Sequence, residues 1–127
     1  MYPSLHQEKQ QHISGTPYFF INVAINILSL SSRVEHILSV PLKKLGLTLP
    51  QFNTLRILAS EFPEPIVLNK LTEKMIDKSS NTSRLVDKLV DKKFAIRQSS
   101  KVDRRLIHIF ITENGLDWSL RCLKYWN

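Results

Sequence analysis

The spacing of apolar residues predicts a long helix near the start of the chain. Between Pro17 and Gly46, apolar residues recur at intervals that follow one helical face. That stripe contains Phe20, Val23, Ile27, Leu30, Val34, Ile37 and Leu38. Other faces of the first half are also apolar, so a second copy of the chain is a natural cover. Pro41 is expected to bend or end the helix, and Gly46 to stop it.

A second helix is predicted to begin after Thr48. The Thr48 hydroxyl can accept a hydrogen bond from the amide of Gln51, and the Gln51 side chain can reach back, which makes a capping box. Pro50 falls in the first turn, where its missing N–H does no harm. The apolar face that follows contains Phe52, Leu55, Leu58, Ala59 and Phe62. The two prolines of "EFPEP" (61–65) end this helix.

Two short helices are predicted next, in the order typical of a helix-turn-helix. The first, "VLNKLTEKM", places Leu68, Leu71 and Met75 on one face. The second, "SSNTSRLVDKLVDKKF", has Asp77 or Ser79 as its N-cap. Its inward stripe contains Thr82, Val86 and Leu89, with help from Leu85.

A β-hairpin, or wing, and a final helix complete the pattern. "AIRQSS" and "RLIHIFIT" predict two strands around a turn at 101–103. The side of the hairpin that faces the core contains Ile107, Ile109 and Ile111. Thr112 can cap the last helix. The apolar stripe of that helix contains Leu116, Leu120, Leu123 and Trp126.

This order of elements predicts a mainly α protein with a small β-hairpin (α+β class), a winged helix-turn-helix flanked by N- and C-terminal helices. We expect a flexible tail over residues 1–16 and a single domain over residues 17–127. Within it, residues 17–46 would form a dimerisation helix, 48–112 the winged helix-turn-helix and 113–127 a short C-terminal helix.

The composition is that of an ordinary globular protein of 127 residues, with 43% hydrophobic and 23% charged residues. No apolar run reaches the roughly 18 residues of a membrane span. The first residues lack the pattern of a secretory signal. The single cysteine, Cys122, cannot form an intramolecular disulfide, which fits a reducing compartment. We therefore expect a cytoplasmic protein without membrane association.

The positive charge is concentrated in one segment. Of the net charge of +7, most falls between Lys70 and Arg105, where eleven basic residues face five acidic ones. Such a field favours a polyanionic partner, nucleic acid first and an anionic membrane second. A solvated basic face is the alternative.

Two groups of residues are candidates for contact with double-stranded DNA. Short polar side chains in the first turns of the second short helix suit close approach to the major groove, together with two cations. This group is Ser79, Ser80, Asn81, Thr82, Ser83, Arg84 and Lys88. The alternative is that its polar members only cap and solvate the helix.

The second group is the wing tip, with Lys101, Asp103, Arg104 and Arg105. In an extended segment, residues two apart project to the same side, so the Asp103 carboxylate is expected to orient the Arg105 guanidinium. A restrained arginine suits a narrow minor groove, and Arg104 would face solvent or a phosphate. Exposed charges that keep a strand edge soluble are the alternative.

No catalytic or metal site is expected. The sequence lacks a Gly-rich phosphate loop, carboxylates paired in a cleft, and a nucleophile with a positioned base. The four histidines and Cys122 have no metal-ligand spacing, so neither a metal nor another cofactor is predicted. Only Arg121 and Lys124 lie near enough in sequence to lower the pKa of the Cys122 thiol, which disfavours oxidant sensing.

Three stretches, "LTLPQFNTLRIL", "SSNTSRLVDKLVDKKF" and "DRRLIHIFITENG", resemble the MarR family of bacterial winged-helix transcription regulators. The similarity covers about residues 21–123, and its most specific part is Asp103-x-Arg105 followed by "ITENG". It implies a homodimer joined through its terminal helices, a recognition helix in the major groove and a wing arginine in the minor groove. It also implies, for many members, a pocket for a small aromatic or anionic effector.

The chain departs from this pattern in three places. Lys93 stands where the family usually has a glycine that ends the recognition helix. Ser100 and Val102 replace commoner charged or proline residues at the wing tip, which is expected to leave fewer phosphate contacts. The sequence stops at Asn127, about where the family's C-terminal helix still runs, which affects the expected strength of dimerisation.

The sequence thus predicts a DNA-binding regulator, most simply a repressor that binds a pseudo-palindromic operator as a dimer. The alternative is a winged-helix module for protein–protein assembly that does not bind specific DNA.

Overall fold

The computed structural model describes residues 15–78 and 81–126. Among them it contains five helices and one three-stranded antiparallel sheet. The chain divides into two compact units, the first ending at Ile37 and the second beginning at Leu38. The predicted mainly helical fold with a small β-wing is confirmed. Of the predicted flexible tail, residues 1–16, positions 1–14 lie outside the described residues.

Helix α1 (Thr16–Lys44) begins one residue before the predicted start, and Pro41 lies inside it. Of the two expectations for Pro41, a bend or an end of the helix, the structure excludes the end, since the helix runs on to Lys44. The helix continues because Leu42 is fully buried and a Schellman arrangement closes the end: Gly46 adopts φ +75° and the Leu47 amide donates to the Leu42 carbonyl at 3.0 Å. Its side chains from residue 17 to residue 37 are exposed.

Helix α2 (Leu49–Glu61) has the predicted capping box between Thr48 and Gln51. Its buried face includes Phe52, Leu55 and Leu58, as the apolar spacing indicates. Phe62, predicted on that face, is instead the C-cap of the helix and 53% exposed. Strand β1 (Ile66–Val67) and helix α3 (Leu68–Lys74) follow, and Leu71 and Met75 are buried as predicted. The two-residue strand was not predicted.

Helix α4 (Thr82–Asp91) is the second helix of the helix-turn-helix. Its N-cap is Asn81, whose side-chain oxygen accepts from the Arg84 amide at 3.2 Å. The predicted N-cap, Asp77 or Ser79, is therefore wrong, because helix α4 begins at Thr82 with Asn81 in the cap position. The predicted inward stripe of Thr82, Val86 and Leu89 is buried.

The end of α4 is another Schellman motif. Lys93 adopts φ +61° and its amide donates to the Val90 carbonyl at 2.9 Å, while the Phe94 amide donates to the Leu89 carbonyl at 2.9 Å. Leu89 and Phe94 are both buried in the core. A lysine therefore occupies the left-handed position that glycine adopts most easily.

Strands β2 (Ala95–Ser99) and β3 (Ile107–Ile111) form the predicted hairpin, and β1 pairs with the other side of β3, giving the order β1-β3-β2. In the register, Ile109 lies opposite both Ile66 of β1 and Arg97 of β2. Ile109 is fully buried, whereas Ile107 and Ile111 are partly buried against the same core.

Helix α5 (Glu113–Lys124) has the predicted cap, since the Thr112 hydroxyl accepts from the Gly115 amide at 3.0 Å. Its buried residues are Gly115, Ser119 and Cys122. The predicted apolar stripe does not coincide with this buried face, since its member Leu120 is 58% exposed. Trp118 stacks on Phe94 with 5.5 Å between ring centroids. This contact turns the face of α5 that carries Trp118 toward the core. The other members of the predicted stripe are the partly buried Leu116 and the exposed Leu123 and Trp126.

Candidate nucleic-acid interface

The N-terminal end of α4 differs in part from its prediction. Ser79 and Ser80 lie outside the described residues. Asn81 is exposed, but its side-chain oxygen is used to cap the helix. Thr82 is only 4% exposed, because it shares the inward face with the apolar residues one and two turns further along. The expectation that Thr82 lies on a DNA-facing surface is therefore wrong.

Ser83 is joined to the wing rather than left open to solvent. Its Oγ accepts a hydrogen bond from Nη1 of Arg97, on β2, at 3.0 Å. The same nitrogen donates to Oδ1 of Asp87 at 2.8 Å. Since residues four apart lie one above the other on a helix, a single guanidinium spans one turn of α4. Helix α4 and the first strand of the wing are thus connected through side chains.

Arg84 and Lys88 are the cationic residues of α4 that remain exposed. Neither side chain has a hydrogen-bond or ion-pair partner among the described residues. Both border a shallow groove of about 310 Å³. The groove is lined by Pro50, Gln51, Asn81, Arg84, Leu85 and Lys88. The start of α2 therefore lies beside the exposed face of α4, and cations occupy one side of the groove.

The tip of the wing is a turn over residues 100–106, longer than the predicted turn at 101–103. The Ser100 amide donates to the Leu106 carbonyl at 2.9 Å and closes the turn. The Ser100 hydroxyl accepts from the amides of Val102 and Asp103 at 3.2 and 3.3 Å. Ser100 therefore stabilises the backbone of the tip. The sequence indicated only a lost phosphate contact at Ser100 and did not predict this role.

The Asp103 carboxylate has a different partner from the predicted one. Its Oδ1 accepts from the backbone amide of Arg105 at 3.0 Å, and no side-chain ion pair between the two is present among the described residues. The expectation that Asp103 holds the Arg105 guanidinium is therefore wrong. The reason is local geometry, because Arg104 and Arg105 lie in a turn and not in an extended segment. Asp103 instead fixes the backbone from which the arginine side chain projects.

Exposed cations remain at this tip. The side chains of Lys101, Arg104 and Arg105 are exposed and unpaired among the described residues. Val102 between them is 99% exposed. Together with Arg84 and Lys88, they form what we call the cationic surface, defined as Arg84, Lys88, Lys101, Arg104 and Arg105.

Arg97 and the start of α2 are the parts of this site that the sequence did not reveal. An arginine within a short strand has no motif of its own. The one available indication was the spacing of Ser83 and Asp87, which places a hydroxyl and a carboxylate on one helical face. Their pairing partner depends on the contact between α4 and β2, which is not a local property of the sequence.

The remaining chemistry of the described residues is sparse. They include no group of three or more His, Cys, Asp or Glu side chains that could hold a metal ion. None of the helices within residues 15–78 and 81–126 is long and apolar enough to cross a membrane. Cys122 is fully buried, and burial raises the pKa of its thiol. This environment favours an unreactive thiol.

A helix-turn-helix followed by a cationic β-hairpin defines a winged-helix protein. The sequence model of the MarR family matches residues 47–107, from the start of the helix-turn-helix region through the wing tip. The proteins of that family are transcription regulators and not enzymes. The resemblance drawn from the sequence motifs is confirmed.

Solved structures share the fold. A protein of Bacillus cereus named as a MarR-like transcription regulator superimposes with a TM-score of 0.79 at 16% identity, covering 86% of this chain and 77% of that one. The C80S mutant of MarR from E. coli, complexed with operator DNA, gives 0.72 at 21% identity, covering 87% and 78%. MepR of S. aureus, in a DNA complex, gives 0.74 at 18% identity, covering 81% and 75%. None of the curated protein sequences matches this chain.

Proposed function

We propose that this chain is a sequence-specific regulator of transcription that binds double-stranded DNA, with α4 in the major groove and the wing in the minor groove. The observation that carries the proposal is the cationic surface. Its five side chains are exposed and unpaired among the described residues, and they lie on the two elements that a winged helix inserts into DNA. Unpaired cations on such elements favour a phosphate-rich partner.

The positions of the exposed residues on α4 support different contacts to DNA for each of them. Arg84, near the N-terminal end of the helix, has the length and donor pattern for a guanine edge or a phosphate. Lys88, one turn further along, suits a phosphate. The Asn81 amide nitrogen remains a donor beside the capping oxygen. Ser79 and Ser80 keep the role predicted for them, as candidate contacts to the major groove.

A homodimer is part of the proposal. Within the first unit, α1 exposes large apolar side chains that water does not favour, among them Phe19, Phe20, Ile27, Leu28, Leu30 and Ile37. Within the second unit, α5 exposes Leu120 and Leu123. Two-fold symmetric pairing would cover such surfaces and would place two recognition helices on one duplex. Half-sites about one helical turn, or roughly 10 base pairs, apart are then expected.

The finer features of the proposal rest on likeness to the family. These are repression rather than activation, release by a small aromatic or anionic effector, and a cytoplasmic bacterial setting. The proposal that residues 17–127 form a single MarR-like domain also rests on likeness to the family.

The second candidate is a winged-helix module that mediates protein–protein assembly without binding specific DNA. Exposed apolar surfaces on α1 and α5 favour it, because they would serve an assembly partner as well as a second copy. The unpaired cations on α4 and the wing favour the regulator.

Selection followed by salt titration separates the two candidates. Duplexes enriched from a randomised library would be labelled and titrated with the full chain at several salt concentrations, with a scrambled duplex as control. A regulator prefers the selected duplex. If all five cations contact phosphates, log affinity falls with log salt at a slope of about −4 to −5 per protomer. Failure to enrich any sequence, with weak binding that ignores sequence, would contradict the regulator and favour the assembly module.

A further inference from the structure

Arg97 connects the recognition helix to the wing through two hydrogen bonds. Its Nη1 donates to Ser83 Oγ at 3.0 Å and to Asp87 Oδ1 at 2.8 Å. The Arg97 side chain is 29% exposed and that of Asp87 is 60% exposed. The guanidinium is therefore the more enclosed partner, and the carboxylate lies nearer to solvent.

The position of Asp87 makes its charge relevant to DNA binding. Asp87 follows Arg84 by three positions and directly precedes Lys88 on the helix that carries both cations. Residues three apart are neighbours on a helix surface, so an unpaired carboxylate would lie beside the proposed DNA contacts and repel phosphates. The ion pair with Arg97 offsets that charge.

The energetics of this pair indicate a role beyond stability. A partly exposed ion pair contributes little to folding, because solvent screens it and ordering the side chains opposes it. The pair nevertheless joins two different elements: α4, which carries proposed contacts to DNA, and β2, which leads into the wing tip that carries the others. Holding them in one arrangement before binding removes part of the ordering cost of the complex.

We propose that Arg97 is a positioning residue for DNA recognition: it acts through Asp87 and Ser83, and does not itself contact the duplex. It neutralises the carboxylate on α4 and fixes that helix against β2. The inference rests on the proposed function. The inference adds two residues to the proposed function. Arg97 lies outside the cationic surface, and Asp87 is an acidic residue of α4 whose charge must be neutralised.

A double-mutant cycle tests this role. The four proteins are the full chain, Arg97→Ala, Asp87→Ala and the double variant, each titrated with the selected duplex at several salt concentrations. We expect Arg97→Ala to lower affinity about tenfold, and to change it less than about twofold when Asp87 is already alanine, because coupled residues are non-additive. The slope of log affinity against log salt should stay that of the full chain, since no phosphate contact is lost.

Two further variants keep the test decisive. Arg97→Lys retains a cation that can pair with Asp87, so it should recover most of the affinity lost in Arg97→Ala, and it serves if the alanine variant does not fold. Arg104→Ala, an exposed wing variant, should reduce the magnitude of the salt slope by about 1 as a direct phosphate contact.

The proposal is overturned if Arg97→Ala lowers affinity equally in both backgrounds and reduces the magnitude of the salt slope as Arg104→Ala does, because Arg97 would then contact DNA. It is also overturned if Arg97→Ala leaves affinity unchanged while Arg84→Ala lowers it. If the full chain binds no selected duplex, the proposed function itself has failed, which is a different result.

Discussion

The carboxylate of Asp103 accepts a hydrogen bond from the backbone amide of Arg105 at 3.0 Å. This contact orders the peptide that carries the arginine and leaves its guanidinium free. The Ser100 hydroxyl adds two further bonds to backbone amides of the same turn. The wing tip is therefore fixed through its backbone, while its cationic side chains stay available for a partner.

Removing the Asp103 acceptor should loosen the wing. Asp103→Ala loses one hydrogen bond that contributes about 1 kcal/mol, which corresponds to about fivefold weaker DNA binding if the turn must be ordered in the complex. Asp103→Asn keeps a side-chain oxygen and should stay within about twofold of the full chain. Fluorescence anisotropy with the selected duplex measures both variants. Equal losses in the two variants would show that the charge of Asp103, and not its acceptor, is what matters.

Arg105→Ala should separate binding from stability. The side chain is exposed and unpaired among the described residues, so its removal should change the free energy of unfolding by less than about 0.5 kcal/mol. DNA affinity should fall at least about tenfold, the loss typical of one specific contact. Val102→Ala, at the most exposed position of the same turn, is the matched control and should bind normally. An unfolded Arg105→Ala protein, or one with full DNA affinity, contradicts the assignment of the wing.

Gly115 is required by close packing of α5 against the end of α4. A Cβ atom at this position would lie 2.3 Å from the Phe94 carbonyl oxygen and 2.9 Å from Ile111 Cγ1. Gly115→Ala should therefore lower the free energy of unfolding by about 2–3 kcal/mol, the upper range for overpacking. Urea denaturation measures the change, with exposed Asn114→Ala as the control. If Gly115→Ala lowers the free energy of unfolding by less than Asn114→Ala does, the backbone accommodates the added methyl group without cost.

Lys93 offers a stabilising substitution. Its φ of +61° lies in the left-handed region, which is unfavourable for a residue with a Cβ atom. Lys93→Gly should raise the free energy of unfolding by about 0.5–1 kcal/mol, after allowance for the greater freedom of glycine in the unfolded chain. Lys92→Gly is the control, because Lys92 has φ −79° and should lose stability. Thermal or urea unfolding gives the order of the three proteins, and a destabilised Lys93→Gly would contradict the strain argument.

The buried thiol of Cys122 should be protected from modification. Its side chain is fully buried, and burial raises its pKa, so the reactive thiolate is disfavoured in the folded protein. A colourimetric thiol reagent should label Cys122 slowly in the folded chain and rapidly in denaturant. Equal rates in the two conditions would show that α5 opens readily or that the thiol is accessible.

Local sequence patterns predicted the elements whose causes are local. The capping box of Thr48 and Gln51 and the cap at Thr112 follow from side chains within three residues of one another. The buried stripe of Val86 and Leu89 follows from helical spacing. These features do not depend on distant contacts, so the order of helices and the β2–β3 hairpin could be derived without the structure.

The errors have non-local causes. The buried face of α5 consists of Gly115, Ser119 and Cys122, small residues that apolar spacing does not identify. Strand β1 exists because β3 offers it an edge to pair with. The ion pair between Arg97 and Asp87 depends on the packing of β2 beside α4. At the wing tip, the chain turns at Arg104 and Arg105, so the alternation of side chains along an extended strand does not apply there.

Helix α4 and the wing are together proposed to form the surface that binds DNA. Amide chemical-shift changes in an isotope-labelled protein, recorded while the selected duplex is added, test it most directly. We expect the largest shift changes within residues 81–88 and 100–106, and small changes at the exposed end of α5. Changes centred on α5 or α1, with α4 and the wing unaffected, would contradict it.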